Sequence, residues 1–248
     1  VQIEHSQERP MSLIFKQLFE RESCTYTYLL ADSKTKEAAI IDAVDIMIDR
    51  DTSLLKELGL DLKFIIETHI HADHITSACP LKKYYPNARI VLGMENIDAE
   101  SCADIMAGEG HILPIGDYEI KAIETPGHTV GCMSYVVENK VLTGDALFIR
   151  STGRCDFQGG SAETLYDSIH KLFQLPDNTE VYPAHDYNGL SVSTIGEEKK
   201  FNTMIKESYD QNKFIENVNN LDLSLPKKIK VAVPANQSCG LVAEQVSV

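Results

Sequence analysis

The sequence contains no hydrophobic run that approaches the ~20 apolar residues required by a membrane-spanning helix. Its first ten residues, Val1 to Pro10, are polar and carry no apolar signal core, so we do not expect secretion. These residues are either an added segment or the remainder of a processed leader, and the sequence leaves both alternatives open.

Basic residues are scarce relative to acidic ones. The 248 residues include 23 Lys and Arg against 37 Asp and Glu, so the net charge is −14 with histidine neutral. Nucleic acids and anionic membranes are bound by clustered basic residues, so we expect neither as a partner. An anionic small substrate would need a local basic patch acting against the field of the whole protein.

Cysteine is scattered, and no two cysteines form a C-x-x-C pair. We therefore expect neither a thiol-based zinc site nor a dense disulfide framework, and a reducing compartment fits this usage. A bound metal would have to be held by histidine and carboxylate side chains. The six cysteines are Cys24, Cys79, Cys102, Cys132, Cys155 and Cys239.

Hydrophobic residues make up 43% of the chain, which is enough for one large core. The apolar pattern predicts strands in quick succession with intervening helices, which is typical of an α/β domain whose sheets are covered by helices. We assign residues 12–195 to this domain and residues 196–248 to a helical and extended appendage packed on it. The predicted strands span residues 15–19, 26–31, 38–42, 62–67, 88–92, 118–124, 133–137, 141–143 and 180–182.

The most informative motif is His69-x-His71-x-Asp73-His74, which follows directly on the predicted strand 62–67. Burying so many polar groups without partners would cost several kcal/mol for each group, so the motif is not part of an apolar core. A solvated turn is one interpretation, and a metal site is the other.

Three further polar residues follow predicted strands: His128, Asp145 and His185. Each alone would usually be an ordinary loop residue. Together with the histidine motif they favour one site, because open sheets gather ligands at the carboxyl ends of their strands. Gly127 and Gly144 precede two of these residues, as tight turns that aim the side chains inward would require.

The order H-x-H-x-D-H, G-H-T, G-D and A-H resembles the metallo-β-lactamase superfamily. This resemblance covers most of residues 12–190 and implies an αββα sandwich with metal at the edge of its two sheets. It does not specify the reaction, because hydrolases, oxidoreductases and nucleases share the scaffold. The charge balance argues against the nucleases.

A closer resemblance extends from about residue 12 to Gly240. Five segments together are similar to the persulfide dioxygenase family, also called sulfur dioxygenases or ethylmalonic encephalopathy protein-like proteins. The resemblance implies oxidation of glutathione persulfide with O2 to sulfite and glutathione. The segments are THIHADHIT (68–76), TGDALFIR (143–150), GRCDFQ (153–158), YPAHDY (182–187) and VPAN (233–236).

This second resemblance also implies the site residues. One Fe(II) per chain would be held by two histidines and one carboxylate, the facial triad of Fe(II) oxygenases, here His69, His128 and Asp145. The residues that hold a second metal in the hydrolases would instead support the ligands and line the pocket. These residues are His71, Asp73, His74 and His185.

The glutathione part of the substrate is implied to bind Arg154 and Tyr187, and we extend this expectation to Arg150, because a guanidinium can clamp a carboxylate. Where the family often has a cysteine before the Gly-Arg pair, this chain has Ser151 and Thr152. We therefore assign no redox role to a loop cysteine.

Two other functions remain open. A glyoxalase II-type hydrolase of S-lactoylglutathione would use a dinuclear metal site, for which all seven ligands are present. A non-catalytic metal-binding module on the same scaffold is the other. We expect a homodimer in the cytoplasm, or in the mitochondrial matrix of a eukaryote. The 248 residues include no rhodanese-like domain, so any sulfurtransferase partner is expected to be a separate chain.

Overall fold

The computed structural model describes residues 12–99 and 101–242, so the question of what residues 1–10 represent lies outside the described part. Twelve strands and six α-helices occur in the described residues. The strands are β1 (Leu13–Glu20), β2 (Thr25–Asp32), β3 (Glu37–Ile41), β4 (Asp61–Ile66), β5 (Arg89–Gly93), β6 (Ile105–Ala107), β7 (Ile112–Ile115), β8 (Tyr118–Glu124), β9 (Met133–Val137), β10 (Lys140–Gly144), β11 (Glu180–Pro183) and β12 (Ser193–Thr194). The helices are α1 (Ile48–Glu57), α2 (Ala78–Tyr84), α3 (Ala162–Leu172), α4 (Ile195–Phe201), α5 (Gln211–Asn219) and α6 (Ile229–Asn236).

The strands form two mixed sheets of six. The first has the order β1-β2-β3-β4-β5-β6, with β3 to β6 parallel and β1 and β2 added antiparallel. The second has the order β12-β11-β10-β9-β8-β7, in which only β10 and β11 are parallel among the strands described.

Three apolar layers hold these sheets together. The central layer lies between the sheets and includes Tyr28 and Phe64 of the first sheet with Ile120 and Tyr135 of the second. A second layer lies under α1 and α2, and a third under α3, α4 and α5. The β2 strand is buried along its whole length because alternate side chains enter the central and second layers. This arrangement is an αββα sandwich and confirms the predicted fold class.

The predicted strands are all present, and their ends differ from the prediction by at most two residues. The Ser161 side chain accepts a hydrogen bond from the Thr164 N–H and caps α3. Three short strands were missed, because none shows an alternating pattern of useful length: β6 with three residues, β7 with Pro114 in its middle and β12 with two residues.

The C-terminal residues pack on both outer faces of the sandwich. Ile205, Phe214 and Val218 join the third layer, while Val233 and Cys239 join the second. The division between residues 195 and 196 stays a prediction. No helix in the described part of the chain is both long and apolar enough to span a bilayer.

One disulfide joins Cys102 to Cys239, 137 residues apart in the sequence. The spacing of the cysteines did not indicate this pair, because the residues meet only through the tertiary packing of the C-terminal segment beside the first sheet. Cys24, Cys79, Cys132 and Cys155 are free thiols.

Candidate metal centre

Four strands deliver polar side chains to one edge of the sandwich. His69 lies three residues beyond the end of β4, His128 four residues beyond β8, Asp145 directly after β10 and His185 two residues beyond β11. The loops that carry them meet because the strands of the two facing sheets end at the same edge. This is the meeting of strand ends that the sequence predicted.

His69, His128 and Asp145 form a compact group whose ligand atoms lie within 4.8 Å of one another. The Asp145 Oδ2 atom is 3.9 Å from His69 Nε2 and 3.4 Å from His128 Nε2. All three residues are buried. Two imidazole nitrogens and one carboxylate oxygen therefore face a common point, as a metal ion requires.

The other nitrogen of each histidine ring is held by a neighbour. His128 Nδ1 lies 2.6 Å from the Arg154 carbonyl oxygen, which can only accept a hydrogen bond, so Nδ1 carries the proton. His69 Nδ1 lies 3.0 Å from Thr68 Oγ1, whose own proton goes to Asp42 Oδ2 at 2.8 Å. These contacts leave both Nε2 lone pairs free to ligate a metal.

Two close approaches of the backbone fix these loops. Gly127 has a φ of 136°, and a Cβ at that residue would lie 2.4 Å from the backbone of Leu165 at the start of α3. Gly144 has a φ of 53°, and a Cβ there would lie 2.8 Å from the Thr68 side chain. Larger residues would push His128 and Asp145 out of position, so both predicted turns are confirmed.

The charge state of the group also suits a metal. Burial, with His71 and His128 nearby, holds the pKa of His69 well below its usual range, so its ring is neutral at pH 7. Asp145 Oδ1 is buried and has no hydrogen-bond partner in the part of the chain that the structure describes. A buried carboxylate oxygen left unpaired is costly, and a cation at this point would compensate it. The donor set therefore fits a divalent metal.

His71 is placed differently from His69, although both belong to the same motif. Its Nε2 atom donates to Asp42 Oδ1 at 3.1 Å and lies 3.4 Å from Glu67 Oε2. Burial by itself would lower the pKa of His71, but the two carboxylates raise it well above its usual range. The Nε2 atom of His71 is therefore engaged by two carboxylates, whereas its buried Nδ1 atom has no hydrogen-bond partner among the described residues.

The remaining motif residues are linked around Thr25 of β2. Its hydroxyl group lies 3.3 Å from both Asp73 Oδ2 and His74 Nδ1 and 3.5 Å from His185 Nδ1. Asp73 and His74 also contact each other at 2.9 Å. His185 Nε2 is 3.5 Å from Asp145 Oδ1, so this set adjoins the triad.

A cleft of about 640 Å³ opens onto these residues. His128, Asp145 and Asp73 form part of its floor, and Phe148 and Phe157 are among the apolar residues of its walls. Tyr187 lies at the rim with 68% of its surface exposed, and its ring stacks on that of His185 at 6.0 Å. Tyr187, which the resemblance assigns to the substrate, therefore lies beside His185 on the cleft that His128 and Asp145 also line.

Arg154 also lines the cleft, but its guanidinium is already bonded. Nε and Nη2 donate to both oxygens of Asp156 at 2.6 and 2.5 Å. Nη1 and Nη2 donate to the carbonyl oxygens of Ser224 and Leu223 at 2.7 and 3.0 Å. Arg154 thus ties the loop between α5 and α6 to the cleft wall.

The expectation for Arg150 is wrong. Its guanidinium pairs with Glu197 and Glu198 of α4 and donates to Ser193, and the residue does not line the cleft. The sequence could not show this, because both acidic partners lie almost 50 residues away along the chain.

Sequence reasoning missed the residues that hold the ligands in place. Asp42 was assigned to a strand end, yet it has a φ of 52° and accepts three hydrogen bonds from the ligand loop. Asn236, in the VPAN segment, bonds to the same loop. These contacts depend on tertiary structure, and only the resemblance of the VPAN segment pointed to Asn236.

Comparisons with known proteins agree with this geometry. Residues 104–185 match the family model for the metallo-beta-lactamase superfamily. The mouse (Mus musculus) protein named persulfide dioxygenase ETHE1, mitochondrial, is 44% identical over 92% of this chain and 89% of its own length. A Dictyostelium discoideum protein named glyoxylase B2 is 33% identical over 89% of each chain.

Among solved structures, ETHE1 from Myxococcus xanthus superposes with a TM-score of 0.88 at 44% identity. The match covers 92% of this chain and the whole of that one. Fold, ligand order and these similarities agree. This chain belongs to the persulfide dioxygenase ETHE1 family of the metallo-β-lactamase superfamily.

Proposed function

We propose that this protein is an iron-dependent persulfide dioxygenase that converts glutathione persulfide, O2 and water into glutathione and sulfite. The reaction balances with release of two protons, and the terminal sulfur of the persulfide loses four electrons to O2. One observation carries the proposal: His69, His128 and Asp145 converge while His71 is withdrawn to Asp42 and Glu67. What remains is a set of two histidines and one carboxylate.

That set suits non-haem iron. An Fe(II) ion held on one face by two histidines and a carboxylate keeps open positions at which O2 and a substrate sulfur can bind and exchange electrons. The group formed by His69, His128 and Asp145 does not include His71, whose Nε2 atom faces Asp42 and Glu67. We propose one iron per chain.

The protein's own residues orient the ligands and exclude water. The Arg154 carbonyl oxygen and the Thr68 hydroxyl group fix the two ligand rings, so little reorganisation is needed when the metal binds. Phe148, Ile149 and Phe157 line the cleft beside the triad. These apolar walls limit the access of water to the reacting sulfur.

We propose that Arg154 and Tyr187 bind the glutathione part of the substrate. Both residues line the cleft. Arg154 places a positive charge there, in a protein whose net charge is −14. Since its guanidinium already bonds to Asp156, Arg154 also acts by holding the cleft wall in place. Tyr187 offers an exposed aromatic ring and a hydroxyl group at the rim.

A glyoxalase II-type hydrolase is the second candidate, and one observation favours it. His71, Asp73 and His74 form a second group whose ligand atoms lie within 4.8 Å of one another, and His74 Nε2 is buried with no hydrogen-bond partner among the described residues. The higher identity to the proteins named persulfide dioxygenase argues against it, 44% against 33% for glyoxylase B2.

Oxygen uptake tests the proposed function. Protein loaded anaerobically with Fe(II), with its metal content confirmed, is mixed with glutathione persulfide in an oxygen-electrode cell. We expect uptake of O2 with formation of sulfite, and no hydrolysis of S-lactoylglutathione in a parallel assay. If the iron form consumes no O2, or if a two-metal form hydrolyses the thioester, the proposal is wrong.

The homodimer and a separate sulfurtransferase partner stay predictions, testable by light scattering and by sulfite formation from a coupled sulfurtransferase. The name of the mouse relative includes "mitochondrial". We propose a mitochondrial matrix location if this chain is eukaryotic, and a cytoplasmic one otherwise.

A further inference from the structure

The last residue of α6, Asn236, lies directly behind the ligand loop. It is buried, and every side-chain hydrogen bond it makes goes to the stretch His71–Thr76. Nδ2 donates to the carbonyl oxygens of His71 and His74 at 2.9 and 2.8 Å, and Oδ1 accepts from the Thr76 N–H at 2.9 Å. One amide therefore joins three backbone groups of a six-residue stretch.

The chemistry of these partners selects the side chain. Two carbonyl oxygens need two donors, and one N–H needs an acceptor, which among side chains only an amide supplies from one planar group. An aspartate has the same shape, but its ionised form donates nothing and would place negative charge against two carbonyl oxygens. Since the loop groups are buried, an unmet partner there is costly.

The segment that carries Asn236 is itself firmly held. The Cys239 carbonyl oxygen accepts from the Cys79 N–H at 2.9 Å, and the Cys102–Cys239 disulfide joins the segment to the chain beyond β5. Gly240 has a φ of 88°, and a Cβ there would lie 2.1 Å from the Thr76 carbonyl oxygen. The C-terminal segment thus forms a rigid support for the loop.

We propose that Asn236 is a positioning residue for the metal centre. It holds the loop so that His69 faces His128 and Asp145 while His71 remains between Asp42 and Glu67. Asn236 is absent from the lining of the cleft, so it acts on the metal and not on the substrate. The proposal rests on the metal centre of the proposed function but not on the persulfide reaction.

The test compares Asn236→Asp with a matched change, Asn217→Asp. Asn217 Nδ2 donates to the Met204 carbonyl oxygen at 2.9 Å in a half-buried setting on α5, outside the metal loop. Release of Fe(II) to a coloured chelator is followed under anaerobic conditions, and melting temperatures are measured with and without iron. We expect Asn236→Asp to release iron at least about tenfold faster, in line with the effect of other ligand-supporting residues.

The same variant should show a smaller rise in melting temperature on iron binding than the unaltered protein. Asn217→Asp should lower both melting temperatures equally and leave the release rate within about twofold. The iron-saturated Asn236→Asp protein should keep its KM for glutathione persulfide. A lower melting temperature with an unchanged release rate and an unchanged iron-induced rise would overturn the proposal, since the role would then be structural only.

If Asn236→Asp does not fold, Asn236→Ser replaces it, because the hydroxyl group keeps one donor and adds no charge. The same release rates decide the outcome. Absence of O2 uptake in an iron-loaded protein would remove the proposed function and leave the result on Asn236 standing, because iron release does not depend on turnover.

Discussion

The histidine-rich site has two halves that contain similar residues in very different surroundings. The first half is His69, His128 and Asp145, and the second is His71, Asp73, His74 and His185. The Nδ1 atoms of His69 and His128 bond to neutral oxygens, so their Nε2 atoms converge with Asp145 Oδ2. The Nε2 atom of His71 instead contacts the buried carboxylates of Asp42 and Glu67. Asp73, His74 and His185 all lie near the hydroxyl group of Thr25. The partners of each ring, and not the motif, decide which residues are available to a metal.

The comparison is tested most strongly by changing one carboxylate in each half. Asp145→Asn keeps the shape of the side chain but removes the anionic ligand, so we expect loss of iron and activity at background level. Asp73→Asn should retain about one iron per chain. Metal analysis and oxygen uptake measure both variants, and equal loss of metal from both would show that the two halves act together.

The next largest effect is expected from the hydrogen bond that orients the His69 ring. Thr68→Val removes the hydroxyl group that links Asp42 to His69 Nδ1, at nearly constant volume. We expect iron affinity to fall by about tenfold to a hundredfold, as is usual for residues that orient a ligand. Thr68→Ser keeps the hydroxyl group and serves as the control. Anaerobic iron titration measures both, and an equal loss in the serine variant would assign the effect to packing.

The two arginines give a smaller contrast, this time in substrate binding. Arg154 lines the cleft, whereas Arg150 is paired with α4. We expect Arg154→Ala to raise the KM for glutathione persulfide by about tenfold, the value of one charge-assisted contact. Arg150→Ala should lower thermal stability and leave KM nearly unchanged. Steady-state oxygen uptake separates them, and the reverse pattern would restore Arg150 as the substrate residue.

The smallest effect concerns the charge of His71 in the metal-free protein. Its folded pKa is raised above the unfolded value of about 6.5, so the stabilisation that it provides is complete below that pH. It is lost as the pH rises through the folded pKa. The difference in unfolding free energy between the unaltered protein and His71→Gln should therefore shrink at alkaline pH, as urea titrations would show. A difference that grows with pH would mean that His71 is neutral.

The fold and the meeting of polar residues at the strand ends were largely predictable from the sequence. Strands such as β4 end in short apolar runs, here Phe64–Ile66, and the polar motifs follow them closely. Glycine before His128 and Asp145 indicated the turns correctly. These are local signals, and they decide which residues reach the edge of the sheets.

The contacts that hold the site in place could not be predicted from the sequence, because they join residues far apart along the chain. Asn236 lies 160 residues beyond Thr76, and Cys102 lies 137 residues before its disulfide partner. The error at Arg150 has the same origin, since nothing near it in the sequence indicates Glu198. A basic residue near site loops predicts a charge at that place but not the partner that neutralises it.

The metal content of the protein tests the central claim most directly. Protein produced without added zinc and purified under anaerobic conditions is analysed by inductively coupled plasma mass spectrometry against its chain concentration. A mononuclear centre formed by His69, His128 and Asp145 predicts about one iron per chain. Two metal ions per chain would contradict the account, because the second half of the site would then be a metal site as well.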